Sequence, residues 1–199
     1  MFNVFKFDSI ESQGELKENC YLFWCAESLE AAVIDPGDRA ERILSRLREL
    51  GLKVRYILLT HGHHDHIGAV AAVQAATGAV VAIHRLEARP KHADWYDGAI
   101  KFEDGQEIRV GQEKLKVLHT PGHTPGGVCF WTKGIVFSGD TLFHTDVGYS
   151  NFPGGNFADL ERSIREKLYV LDESTEVYPG HEESTTIGEE KWHNTVVRA

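Results

Sequence analysis

The chain has 199 residues, 42% of them hydrophobic, which suffices for one substantial core and lies in the single-domain range. A formal net charge of −9 disfavours a nucleic-acid partner, because phosphate binding draws on a clustered excess of Lys and Arg. With no apolar run of the roughly eighteen residues a membrane span needs, no basic or apolar leader, and three cysteines (Cys20, Cys25, Cys129) without a CxxC pair, the expectation is a soluble, cytoplasmic protein with reduced, packed thiols and no membrane partner.

Short β-rich runs open the chain at residues 2–7, 19–25 and 31–35, the last broken by Pro36-Gly37. A helix is expected from Asp38, a natural N-cap, to Leu50, with Gly51 ending it. Ile43, Leu44, Leu47 and Leu50 share its inner face, and the basic residues from Arg39 onward alternate with glutamates on a solvated one. Residues 54–59 form a continuous apolar strand that runs into Thr60-His61-Gly62-His63-His64-Asp65-His66. Residues 67–77 read as an alanine-rich helix closed by Gly78. Further strands are expected at 80–83, 107–110, 114–118, 128–131 and 135–138. The last long helix runs over 157–171 with Asn156 as its cap, and a strand at 176–178 delivers His181. Hairpin-like strands mixed with helices, with no linker and no repeat, predict one domain spanning 1–199. Its class is α+β, two packed sheets covered by helices in an αββα sandwich.

Eleven histidines are unusual in 199 residues, and their clustering carries the information. His61, His63, Asp65 and His66 fall within six residues directly after a buried strand, where a loop can turn several side chains toward one point at a sheet end. Imidazole and carboxylate suit zinc, iron and manganese, and His61 and His63 project together if the backbone is extended. Three more candidates each follow a β-like run and a glycine: His123 after Pro121-Gly122, Asp140 after Ser138-Gly139, and His181 after Pro179-Gly180. A lone histidine of this kind is more often a packing or surface residue, but a common metal centre accounts for all seven at once.

The order His61-x-His63-x-Asp65-His66, then His123, Asp140 and His181, resembles the metallo-β-lactamase superfamily. The flanking segments narrow the likeness. Val33-Ile34-Asp35-Pro36-Gly37, Thr120-Pro121-Gly122-His123-Thr124-Pro125-Gly126, Ser138-Gly139-Asp140-Thr141-Leu142-Phe143 and Thr185-Thr186-Ile187-Gly188-Glu189 are similar to the glyoxalase II-like group, the hydroxyacylglutathione hydrolases. The resemblance implies two divalent metals, zinc first with iron or manganese as alternatives. One is held by His61, His63 and His123, the other by Asp65, His66 and His181, with Asp140 bridging. It also implies hydrolysis of a thioester by a metal-bridging hydroxide that Asp65 orients, in a chain without the group's C-terminal helical extension. Asp35 is then expected to hydrogen-bond the His61 to His66 loop, against the plainer reading of a turn-forming Asp before Pro36. An aspartate at 140, where many β-lactam-cleaving relatives have cysteine, argues against a lactamase.

The pattern departs from the group around substrate. Relatives often place a basic residue for the glutathione carboxylate where this chain has Tyr149 after Gly148, and Glu182 and Glu183 follow His181 in place of small or proline residues. Tyr149, and His144 in the loop after Asp140, are the candidate substrate contacts. The leading expectation is a thioester hydrolase acting on S-lactoylglutathione-like or related acyl thiols, as a monomer or small homo-oligomer. The main alternative is a persulfide dioxygenase with a single iron bound through His61, His123 and Asp140. A non-catalytic metal-binding protein is disfavoured by the intact set of seven.

Overall fold

The computed structural model describes residues 5–11, 17–87, 90 and 93–199. Strands β1 (Phe5–Glu11), β2 (Asn19–Cys25), β3 (Glu30–Ile34), β4 (Lys53–Leu58), β5 (Val80–His84) and β6 (Ile100–Phe102) form one six-stranded sheet in that order. Strands β7 (Glu107–Val110), β8 (Glu113–His119), β9 (Val128–Thr132), β10 (Ile135–Gly139), β11 (Glu176–Pro179) and β12 (Thr185–Thr186) form the second. Both sheets are mixed: β3 to β6 run parallel, as do β10 and β11, and the other neighbours are antiparallel.

The central strands are apolar on both faces because each face has a separate layer to meet. Side chains alternate along a strand, so in β2 Cys20, Leu22 and Trp24 enter the core on the outer side of the first sheet while Tyr21 and Phe23 enter the core between the sheets. In β10, Ile135 and Phe137 face the inter-sheet core and Val136 the outer core of the second sheet. Helices α1 (Ala40–Glu49) and α3 (Val70–Thr77) contribute Ile43, Leu47, Val70 and Val73 to the first outer core. Helix α4 (Phe157–Ser163), its π-helical continuation Ile164–Leu168 and α5 (Ile187–His193) contribute Leu160, Ile164, Leu168 and Ile187 to the second. The layers are helix, sheet, sheet, helix, the αββα sandwich expected from the sequence.

Most strand boundaries fall within one residue of the sequence reading, but several elements differ. The first strand runs on to Glu11 rather than stopping at 7, and residues 2–4 of that reading lie outside the described residues. Helix α1 is not capped by Asp38. Arg39 occupies the N-cap in a left-handed conformation (φ 51), and the Asp38 carboxylate turns back to accept from Arg39 N at 2.6 Å. The helix expected over 67–77 is two. A short helix α2 (His64–Ile67) begins inside the histidine run, and the chain breaks before α3 because Ala69 N–H donates to Pro36 O at 2.9 Å instead of continuing the helical ladder. The helix expected over 157–171 has the Asn156 cap, whose side chain accepts from Asp159 N at 3.2 Å, but widens into the π-helical turn and ends at Leu168. The sequence reading missed β6, β12, α5 and a 3-10 turn at Asp94–Tyr96. The three cysteines are free and buried, and no described helix is long and apolar enough to cross a membrane.

Candidate metal centre

Four loops leave strands of both sheets at one edge of the sandwich. The loop after β4 carries His61, His63, Asp65 and His66, the loop after β8 carries His123, and β10 and β11 lead directly into Asp140 and His181. The sheets are joined beneath them by Val128 N to Thr60 O (2.9 Å) and Asn19 N to Gly180 O (2.7 Å). Gly180 is required by close approach, since a Cβ there would stand 2.4 Å from Asp140 Oδ1 and 2.6 Å from His66 Cε1.

The structure brings all seven sequence candidates together, in two groups. His61 Nε2 lies 3.1 Å and His123 Nε2 2.9 Å from His63 Nδ1. His66 Nε2 lies 3.3 Å from His181 Nε2, which is 3.3 Å from Asp65 Oδ2. Asp140 stands between the groups. Its Oδ2 is 3.4 Å from His123 Nε2 and 3.6 Å from His181 Nε2, and its Oδ1 is 3.3 Å from His66 Nε2.

Hydrogen bonds behind the rings set which nitrogen faces inward. His123 Nδ1 donates to the Tyr149 carbonyl (2.6 Å), and His66 Nδ1 donates to Asp35 Oδ2 (3.1 Å). Thr60 Oγ1 donates to the same Asp35 oxygen (2.5 Å), which leaves it free to accept from His61 Nδ1 at 3.0 Å. Asp35 Oδ1 accepts from Thr60 N at 2.7 Å. Asp35 is therefore a brace beneath the His61 to His66 loop, as the resemblance implied. The inner Nε2 atoms of His61 and His123 then carry lone pairs that point into the group, the form in which imidazole binds a metal.

Electrostatics point the same way. Burial drives the imidazoles of His61 and His63 toward the neutral, ligating form, well below the usual range for His61. On His66 burial is outweighed by the Asp140 and Asp35 carboxylates, which hold a proton on it in the metal-free chain. Asp140 is held ionised against burial chiefly by His66 and His61. Its buried Oδ1 makes no aligned hydrogen bond among the described residues. An ionised, buried carboxylate ringed by imidazoles, two of them driven toward the neutral form, suits divalent cations, and groups His61/His63/His123 and Asp65/His66/His181 each converge within 4.8 Å.

His63, Asp65, His123, Asp140 and His181 form the floor of a cavity of about 1020 Å³, with His61 and His66 buried beneath it. Phe143, Tyr149 and Phe152 supply an aromatic wall, with Phe152 edge-on to His63 and His123 at 5.3 and 5.8 Å. Glu11, Glu182 and Glu183 give the mouth an acidic rim that also contains Lys17. Tyr149 lines this cavity. His144 does not line it; its Nδ1 lies 2.7 Å from Glu183 Oε1 at the rim. Sequence reasoning also missed Phe143, Phe152, Thr60, Glu87 and Glu18, the last a fully buried acid beside His181 whose pKa burial pushes up to about 10.

A sequence profile described as the metallo-beta-lactamase superfamily matches residues 14–181. The chain belongs to that superfamily. Hydroxyacylglutathione hydrolase GloC of Haemophilus influenzae is 34% identical over 200 residues, covering 89% of this chain and 92% of that one. Among solved structures, BLEG-1 B3 metallo-beta-lactamase has a TM-score of 0.86 at 34% identity, over 98% of this chain and 100% of that one. ETHE1 from Myxococcus xanthus gives 0.86 at 33%, over 96% and 83% of the two chains. TTHA1623, in a di-iron-bound form, gives 0.82 at 34%, over 94% and 98%. Superfamily members bind divalent metals, and the two His/Asp groups of this metallo-beta-lactamase fold could hold them.

Proposed function

We propose that this metallo-hydrolase cleaves a thioester, hydroxyacylglutathione of the S-lactoylglutathione type or a related acyl thiol, at a two-metal centre. The observation that carries the reading is the pair of convergent groups sharing Asp140 beneath an aromatic-walled cavity. His61, His63 and His123 would hold one ion, Asp65, His66 and His181 the other, with Asp140 between. Bound metals supply a water acidified toward neutrality and a polarised carbonyl. Zinc is the first expectation and iron or manganese the alternatives.

The chain's own residues do the rest. Asp65, at the cavity floor, would hold a metal and orient the attacking water. The Phe152 and Tyr149 rings pack against the acyl thiol and exclude bulk water from the floor. Water oxygen would bond to the acyl carbon as its protons pass to solvent, the C–S bond would break, and the products would be a carboxylate and a thiolate. A thiol pKa near 8.5 makes that departure easy without a strong general acid. Similarity to hydroxyacylglutathione hydrolase GloC supports this substrate class.

A second reading, oxidation of a persulfide at one iron held by His61, His123 and Asp140, is favoured by the likeness to ETHE1. The likeness to BLEG-1 places β-lactams in the same assay, although Asp140 was read against them. One preparation given S-lactoylglutathione, a neutral acyl thiol, a persulfide and a β-lactam, with thiol release and oxygen uptake followed together, tests the proposal. Thiol release without oxygen uptake is expected. Oxygen uptake on the persulfide with no thioester cleavage, or β-lactam cleavage alone, would overturn it.

A further inference from the structure

We propose that Glu87 is the positioning residue of the three-histidine half of the metal centre, tying together with one carboxylate the two loops that supply His61, His63 and His123. These ligands come from different sheets. His61 and His63 follow β4 in the first, and His123 follows β8 in the second. Their relative placement is therefore not fixed by any one strand ladder.

Glu87 lies just beyond β5 and is 6% exposed. Its Oε2 accepts from Gly62 N–H at 3.0 Å, the peptide between His61 and His63. Its Oε1 accepts from Gly126 N–H at 3.0 Å and from the Thr124 hydroxyl at 2.5 Å, the residue next to His123. The staple is itself anchored. Glu87 N donates to His84 O at 3.0 Å, and Tyr96 OH donates to Glu87 O at 2.6 Å. Gly126 has no room for a side chain here, since a Cβ would meet Glu87 N at 2.5 Å. Three donors from two loops thus converge on one buried acid, which does not line the cavity. The donors to its side chain are Gly62, Thr124 and Gly126, which flank His61, His63 and His123 and not Asp65, His66 or His181.

That asymmetry separates positioning from a general contribution to stability. Groups that orient ligands from behind typically change metal affinity 10–100-fold when removed. Here the loss should fall on one half only. The inference depends on the metal centre and not on which substrate is cleaved, so its test needs no turnover.

Zinc binding to the full-length protein can be measured by calorimetry in two backgrounds. His181→Ala leaves the three-histidine half to be read, and His63→Ala leaves the other. Glu87→Ala should weaken zinc roughly 10–100-fold in the first background and less than about threefold in the second. Glu87→Gln keeps one acceptor oxygen but turns an amide N–H toward a backbone N–H, and should fall between alanine and wild type. Equal losses in both backgrounds, or none in either, would overturn the proposal. If circular dichroism shows Glu87→Ala unfolded, Thr124→Val removes a single contact and should still cost about threefold or more in the first background alone. Wild-type affinity in that variant would likewise overturn it.

Discussion

Asp35→Asn should disable the His66 half of the centre without disturbing the backbone. Asp35 has φ 49, a left-handed conformation that asparagine adopts more readily than most residues, so the turn itself survives. The carboxylate, however, faces three donors: Thr60 N–H (2.7 Å), the Thr60 hydroxyl (2.5 Å) and His66 Nδ1–H (3.1 Å). An amide has one acceptor oxygen. With that oxygen on Thr60 N–H, the NH2 group opposes His66 Nδ1 and favours the tautomer protonated at Nε2, the nitrogen that faces His181 and Asp140. With the oxygen on His66, Thr60 N–H loses its buried acceptor, at a cost of about 1–3 kcal/mol. Loss of such a brace behind a metal-binding histidine is worth 10–100-fold in affinity, about 1.4–2.8 kcal/mol. Zinc calorimetry should show one weakened step, and nitrogen-detected NMR of the metal-free protein should show His66 keeping a proton on Nε2 and losing the one on Nδ1. Wild-type affinity for both ions, with unchanged stability and the proton still on Nδ1, would refute the tautomer argument.

Asp140→Ala should cut turnover more than tenfold, at least about 1.4 kcal/mol of barrier stabilisation, with an unchanged far-ultraviolet dichroism spectrum, because both metal groups meet at Asp140 while the core is built from the strands; a variant above a tenth of wild-type rate contradicts the shared role. Tyr149→Arg should lower KM for S-lactoylglutathione about tenfold, or about 1.4 kcal/mol, because a guanidinium offers a charge-assisted bond to a carboxylate where the phenol offers a neutral one. The backbone carbonyl that holds His123 is retained in that variant, so an unchanged KM in steady-state kinetics would mean this wall does not read the carboxylate. His84 is buried against the His119 ring at 4.1 Å, and burial, then His119, pushes its pKa down to about 4. The unfolded chain takes up that proton near pH 6.5, so the stability from neutral His84 is complete above 6.5 and is lost, by at most about 3 kcal/mol, as pH falls toward 4. Urea titrations should therefore show the wild type losing more stability than His84→Gln across that window, and parallel losses would contradict it.

The candidate centre was legible because each of its parts has a short-range signature. His61 to His66 sit in one hexapeptide, and His123, Asp140 and His181 each follow a strand and a glycine that lets the backbone come close. The layers were legible because two-sided apolar strands such as β2 and β10 need partners on both faces. What escaped is long-range or short-lived in sequence. Glu87 looks like any acid in a turn after a strand, and only the approach of Gly62, Thr124 and Gly126 from two sheets gives it a task. Strands of two or three residues, β12 and β6, are too short to show alternation. The break between α2 and α3 depends on a backbone bond to Pro36, thirty-three residues upstream of Ala69. His144 follows Asp140 closely in sequence, but its ring lies off the cavity lining with Nδ1 2.7 Å from Glu183 Oε1.

The central claim is a two-metal centre divided by Asp140, and anomalous diffraction from crystals of the metal-loaded protein tests it most directly. Two peaks are predicted, one among His61, His63 and His123 and one among Asp65, His66 and His181, roughly 3.5–4 Å apart. A single peak among His61, His123 and Asp140, with no second ion after loading with excess metal, would contradict the account.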